Sequence, residues 1–296
     1  MIYPFLHTTG IHYTDELVEW AVLRKNSKGI EKLREGSVAI PAGFFEQENT
    51  ALFPAEVLPD IRRHFAGVVT VSLPSVRLLM KMLELPSTDP DELREMVELQ
   101  IDEISPFPVD QLTVSYEVFS RTENHSRVLA VAAPRKTVDA LGDLFKQRNV
   151  YIRSLDAEVL AWWSLLAEHG KVHTEGRAVL ILEEHTEFSL IISDDGIPVC
   201  IRSLELFHRF TDPAVMQEIA EEVGYTLLSL ETSYGHRDID GVFVWSESEF
   251  PAGLCDLLRD KCGADVTHNN LNTLPPVSEG LALRSAERRL HHVELV

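Results

Sequence analysis

Two short stretches carry the side chains best suited to chemistry: His12, Asp15 and Glu16 near the start of the chain, and Glu183, Glu184 and His185 past its middle. Imidazole nitrogens and carboxylate oxygens are ligands for divalent cations, so these groups would form a metal site if the two hairpins carrying them met. That reading is not the one adopted, and no metal and no catalytic residue are expected. No HExxH, GxSxG, Walker A or GxGxxG pattern occurs, which leaves zinc hydrolase, serine hydrolase, P-loop and dinucleotide readings without support. The three cysteines, Cys200, Cys255 and Cys262, form no CxxC. Cys255 and Cys262 lie a heptad apart in an apolar helical pattern and read as buried thiols, not as ligands or a disulfide scaffold. Asp156 precedes a helix and reads as an N-cap in preference to a metal ligand.

Those residues must be positioned by a fold, and composition bounds it. A chain of 296 residues exceeds an average domain, and its 45% hydrophobic content supports two domains with cores of their own. No run approaches the ~18 apolar residues of a membrane span, and Met1 to Thr14 lacks the basic start and apolar stretch of a signal peptide. A cytoplasmic protein is expected. Lysine and arginine total 27 against 47 acidic residues, a formal charge of −20 that disfavours nucleic acid and anionic lipid. The acid concentrates in Asp89 to Glu103, where Asp91, Glu92, Glu95, Glu98, Asp102 and Glu103 face a single Arg94. A solvated helix face and a docking surface for a basic partner both fit that pattern.

Element signals alternate along the chain. Leu17–Leu23 and Gly36–Ile40 read as strands around a turn at Asn26–Gly29, and Ala55–Phe65 has helical spacing. Val68–Leu73 and Arg77–Leu85 read as strands, and Thr88-Asp89-Pro90 opens a helix that stops at Ser105-Pro106-Phe107-Pro108. Strands at Thr113–Phe119 and Val128–Ala133 follow, then a helix from Arg135, a strand at Tyr151–Leu155 and a buried helix over Ala157–Ala167. Trp162 and Trp163 there are packing residues. A second meander begins near Arg177, with strands at Ala178–Leu182, Glu187–Ser193 and Ile197–Leu204 and a hairpin turn at Asp195-Gly196. Pro213–Tyr234 is a long helix, Val242–Trp245 a buried strand, and Leu254, Leu257 and Leu258 mark a further helix. Two halves that each open with a meander and pass into helices indicate an α/β duplication.

Several of these segments together resemble the PilM family of actin-like type IV pilus assembly proteins, and the cytoplasmic part of the type II secretion protein GspL. The resemblance is carried by VTVSLPSVRLLMKMLELP and DELREMVELQIDEISPFPVDQLTVSYEVF within Val69–Phe119, VLAVAAPRKTVDALGDLF at Val128–Phe145 and SLDAEVLAWWSLL at Ser154–Leu166. It continues in SDDGIPVCIRSLEL at Ser193–Leu206, ETSYGHRDIDGVFVW at Glu231–Trp245 and SEGLALRS at Ser278–Ser285. No single motif is specific; the ordered series is.

The resemblance implies a two-domain actin-like ATPase fold, ribonuclease H-like, with an inserted subdomain in domain one. Domain one would comprise 1–74, 151–175 and 276–296, the insertion 75–150, and domain two 176–275. Such proteins hold phosphate on glycine-bearing hairpins, where backbone N–H groups approach the anion. In place of a family pattern near GIDIGSSSVK this chain has Gly10-Ile11-His12-Tyr13-Thr14-Asp15-Glu16, so His12 replaces the magnesium-organising aspartate and Thr14 the phosphate-loop glycine. The second hairpin carries Glu183 and Glu184, and the adenosine turn reads Ser246-Glu247-Ser248-Glu249 instead of GGGA. The pocket is therefore expected to be degenerate, with no cofactor. The resemblance further implies a non-catalytic adaptor that docks the N-terminal tail of a PilN-like bitopic inner-membrane protein, with the assembly ATPase as a further partner. That tethering would place the chain peripherally at the inner membrane. Candidate groove residues are Arg77, Leu79, Pro106, Phe107 and Tyr116. Competing readings are a PilM-like ATP-binding protein or weak Mg-ATPase with divergent ligands, and a sugar or acetate kinase of the same superfold.

Overall fold

The computed structural model describes residues 6–41, 44, 52–184, 187–206, 212–247 and 251–287. The chain divides into two units, one of Met1–Gly170 with Pro275–Val296 and one of Lys171–Leu274.

The first unit is built on a sheet of five strands: β1 (Leu6–Tyr13), β2 (Leu17–Asn26), β3 (Gly29–Ala39), β4 (Val68–Leu73) and, much later, β8 (Ile152–Ala157). Their spatial order is β3-β2-β1-β4-β8. The first three form an antiparallel meander, β4 runs parallel to β1, and β8 runs parallel to β4. A second sheet of three antiparallel strands, β5 (Leu79–Leu85), β6 (Leu112–Arg121) and β7 (Ser126–Pro134), is ordered β5-β7-β6. Helix α1 (Pro90–Ile104) lays Leu93, Val97 and Ile101 on this sheet. Its start is as the sequence dictates: the Asp89 carboxylate accepts the backbone N–H groups of Asp91 and Glu92, and Pro90 sits where no N–H is missed. Helices α2 (Arg135–Gln147) and α3 (Glu158–Glu168) follow, and Trp162 and Trp163 of α3 are buried, as packing residues should be.

The second unit repeats the plan. Strands β9 (Arg177–Glu184), β10 (Glu187–Asp194) and β11 (Ile197–Glu205) form a meander, and β12 (Ile239–Ser246) and β13 (Val266–Asn270) add in parallel, in the order β11-β10-β9-β12-β13. The β10–β11 hairpin turns through Asp195 (φ 51°) and Gly196 (φ 77°), two left-handed residues in succession, the twist that matches antiparallel strands. Helices α4 (Pro213–Tyr234) and α5 (Ala252–Cys262) bury Ile219, Val223, Leu254 and Leu258 against Val179, Ile181, Val242 and Val244.

Helix α6 (Val277–Glu287) returns to the first unit and packs on β1 and α3. The approach is close enough to require glycine on both sides. A Cβ on Gly10 would lie 2.0 Å from the Ser278 carbonyl oxygen, and one on Gly280 would lie 2.5 Å from that of Ala161.

Four sequence expectations change. Ala55–Phe65 is not one helix but three short turns, 55–57, 58–61 and 62–64, the middle one carrying Pro59 in its first turn. β1 and β13 are strands that the apolar pattern did not reveal. Cys255 and Cys262 are free and half-buried instead of buried.

Candidate functional site

In the first unit the turn after β1 is organised by Thr14. Its hydroxyl accepts the N–H groups of Glu16 (3.2 Å) and Leu17 (3.3 Å), and its own N–H donates to the Leu17 carbonyl at 2.9 Å. Donors that a phosphate loop would aim at an anion are thus engaged locally, while Asp15 and Glu16 are exposed. His12, the penultimate residue of β1, is 2% exposed. Its Nδ1 lies 2.9 Å from the Ser72 hydroxyl, the neighbour supplied by the parallel β1–β4 register. Glu158, buried at the start of α3, places a carboxylate oxygen within 4.8 Å of a His12 ring nitrogen. Gly10, the residue in this hairpin that matches the family pattern, is held by the packing of α6 and not by any phosphate geometry.

Asp156 is not an N-cap. It lies in β8, and helix α3 begins after Ala157 with no side-chain cap. Its carboxylate instead accepts Nε of Arg284 at 2.6 Å, and the same guanidinium donates through Nη2 to Glu117 Oε2, also at 2.6 Å. A further contact reaches the Ser164 hydroxyl at 3.4 Å. Arg284 and Asp156 are each 3% exposed and Glu117 is 8%. Burial raises the Asp156 carboxyl above its ordinary value, against the pull of Arg284. The like charge of Glu117 adds a smaller push in the same direction. Burial disfavours the Arg284 charge too, but Asp156 and Glu117 outweigh it and hold the guanidinium above its usual range. Period-two alternation explains the reach: Tyr116 of β6 faces α1, so Glu117 faces the opposite way. The network joins the three-stranded sheet, β8 and α6; of its members only Asp156 was singled out from sequence, and in another role.

In the second unit Glu183 is buried and Glu184 half-buried at the end of β9, paired across the ladder with Phe188 and Glu187. Like charges ~4 Å apart repel by about 1 kcal/mol in water and about 4 kcal/mol at an effective permittivity of 20, the repulsion an anion placed beside these carboxylates would meet. His185 lies outside the described residues. At the end of β12 the Ser246 hydroxyl is 2.8 Å from His268 Nε2, and the Glu247 carbonyl accepts from Asn272 Nδ2 at 3.3 Å. Ser248 and Glu249 lie outside the described residues. Burial pushes the Cys200 and Cys262 thiols up to about 11 and raises that of Cys255, so none is poised as a thiolate nucleophile.

The five groove candidates fall into two groups. Tyr116 is 8% exposed, packs beneath α1, and donates its hydroxyl to the Pro90 carbonyl at 2.9 Å; Leu79 packs on the same cluster. Arg77, Pro106 and Phe107 are exposed, Phe107 by 51%. Among the described residues no helix is long and apolar enough to cross a membrane.

No protein-family model and no curated protein matches this sequence. Solved structures do. A chain of the PilM–PilN type IV pilus biogenesis complex superposes with a TM-score of 0.72 at 15% identity, covering 96% of this chain and 99% of that one. The cytoplasmic domain of EpsL, an inner-membrane component of the Vibrio cholerae type II secretion system, gives 0.54 at 12% identity over 96% and 97%. A Bacteroides thetaiotaomicron protein of actin-like ATPase fold and unknown function gives 0.52 at 12% identity over 94% and 95%. At these identities the likeness shows the fold: this chain has the actin-like ATPase fold, which accounts for the repeated strand order of its two units.

Proposed function

We propose that the chain is a non-catalytic adaptor of a type IV pilus or type II secretion inner-membrane assembly, docking the cytoplasmic N-terminal tail of a PilN-like membrane protein. The observation that carries this reading is the end-to-end likeness to a chain of the PilM–PilN complex, with 96% and 99% coverage. The docking element would be the three-stranded sheet and α1, within an inserted subdomain at 75–150. Its outer strands β5 and β6 offer edges to which an extended peptide adds through main-chain bonds, and exposed Arg77 and Phe107 lie shortly before β5 and β6 in sequence. The acidic face of α1 would speed capture of a basic juxtamembrane tail.

The same reading takes the nucleotide pocket as lost. It is supported by the Thr14 hydroxyl engaging two turn N–H groups and by Glu183 and Glu184 at the second strand end. Calorimetric titration of the full chain with a PilN-like tail peptide and with Mg-ATP tests both halves. Saturable tail binding with no magnesium-dependent binding of ATP is expected. Tight ATP binding with no tail binding would replace this reading by the ATPase one.

A further inference from the structure

The sheet of the first unit has a second end. His12, Ser72 and Asp156 lie toward the C-terminal ends of β1, β4 and β8, whereas β4 and β8 begin four residues before Ser72 and Asp156, roughly 13 Å away. There the surface folds into a pocket of about 450 Å³ lined by Arg62, Arg63, Phe65, Gly67, Asn149 and Tyr151, among others. None of its lining residues is acidic, in a chain whose formal charge is −20.

The arginines are available. Arg62 uses Nη1 on the Arg148 carbonyl at 3.0 Å, which ties one lip of the pocket to the other, and Arg63 Nε reaches His64 Nε2 at 3.3 Å. Among the described residues neither is bonded to a carboxylate, and a guanidinium carries five N–H donors. The backbone of the pocket is specified. Gly67 has φ +68°, and a Cβ there would lie 1.9 Å from the His7 carbonyl oxygen. Asn149 adopts φ 58°, left-handed for a residue with a side chain, in the turn that ends α2. Tyr151 is 72% exposed. An aromatic ring left in water beside paired guanidiniums is suited to stack on a flat group while they take an anion.

We infer that this pocket binds a small phosphorylated ligand carrying a planar ring, of the mononucleotide class. Arg62 and Arg63 hold the phosphate, and Tyr151 with Phe65 takes the ring. The volume fits: small-molecule sites span about 300–1,000 Å³, whereas a protein partner needs a broad face of ~800 Å². The pocket lining does not include the turn residues His12 or Thr14, and the inference does not rest on the adaptor reading.

The test is calorimetric titration of the full chain, in phosphate-free buffer, with AMP, GMP, inorganic phosphate and adenosine. Saturable 1:1 binding of AMP or GMP is expected, tighter than that of phosphate or adenosine alone. R62Q/R63Q should weaken it at least tenfold with an unchanged melting midpoint; should that variant melt early, R62K/R63K keeps the charge and should still weaken binding severalfold by removing the planar fork. Y151A should weaken the nucleotide but not inorganic phosphate, and R202Q, an arginine outside the pocket, should change nothing. Absence of saturable binding by either nucleotide, or binding indifferent to R62Q/R63Q, overturns the inference. So does tighter binding of a glutamate-rich peptide, which would make the face a protein interface. Cosedimentation with phosphatidylglycerol vesicles in place of nucleotide binding would assign the guanidiniums to a lipid headgroup and overturn it too.

Discussion

Replacing Arg284 by methionine should destabilise the protein far more than the loss of one surface-type ion pair. The guanidinium is 3% exposed and is bonded at 2.6 Å to each of two carboxylates that are themselves buried. Methionine fills a similar volume, so the cavity contribution is small; what remains is two carboxylates stranded without their cation. An unsatisfied buried acceptor costs about 1–3 kcal/mol, and breaking a buried pair by removing one partner costs about 3–5 kcal/mol. For a chain of this size, a few kcal/mol corresponds to a midpoint lowered by roughly 10 °C. Thermal unfolding followed by circular dichroism, with urea unfolding as the second measure, reads the effect. R284M/D156L/E117L, which removes all three charges, should recover most of the loss, because a buried ion network is about as stable as a packed apolar one. R284K should not recover it, since one ammonium cannot serve two carboxylates as a planar fork does. A single variant within about 1 kcal/mol of the parent, or a triple variant no better than R284M, would refute the account.

Asp156 gives a pH prediction. Its carboxyl lies above the ordinary 3.8 because it is buried, so the native state holds the proton more tightly than the unfolded chain. The contribution is full below the ordinary value and is lost as pH rises through the raised one, so midpoints of D156N plotted over that window should run flatter than the parent's; parallel curves would count against it. G10A places a Cβ 2.0 Å from the Ser278 carbonyl oxygen and should cost about 1–3 kcal/mol, measured by urea unfolding. Y116F deletes the 2.9 Å bond to the Pro90 carbonyl and should cost about 1 kcal/mol without altering the secondary structure. T14G/E183G/E184G, which frees the Glu16 and Leu17 N–H groups and clears two carboxylates, should bind Mg-ATP more tightly than the parent in equilibrium dialysis; no gain would mean that these residues do not set the deficit.

The repeated meander was legible because its strands are buried on both faces or close in diagnostic turns. Ala178–Leu182 is an unbroken apolar run, and Asp195-Gly196 has the turn chemistry of a two-residue hairpin. β1 was hidden by its own polarity. Thr8 and Thr9 are fully buried, yet their hydroxyls are satisfied by the carbonyls of Ala282 and Ala66, partners no local pattern reveals. β13 was hidden for the opposite reason, as an outer strand whose residues largely stay in water. The Arg284 network was the least legible element. A lone arginine in the otherwise uncharged Leu281–Ala286 stretch was the available signal, but its partners Asp156 and Glu117 lie 128 and 167 positions away.

The turn after β1 shows why a resemblance at one residue can mislead about chemistry. Gly10 and Thr14 stand four positions apart, and the first matches the family pattern while the second departs from it. Gly10 is fixed by the close approach of α6, a requirement of the fold whatever the pocket binds. Thr14 answers to no packing demand of that kind: it is half-buried and its hydroxyl closes a local turn. A scaffold of this topology can therefore keep the first residue and exchange the second without disturbing either core, since the sheet is held by β1–β2 and β1–β4 pairing and not by the turn. The glycine is explained by the close packing of the fold, and the threonine by the local turn that its hydroxyl closes.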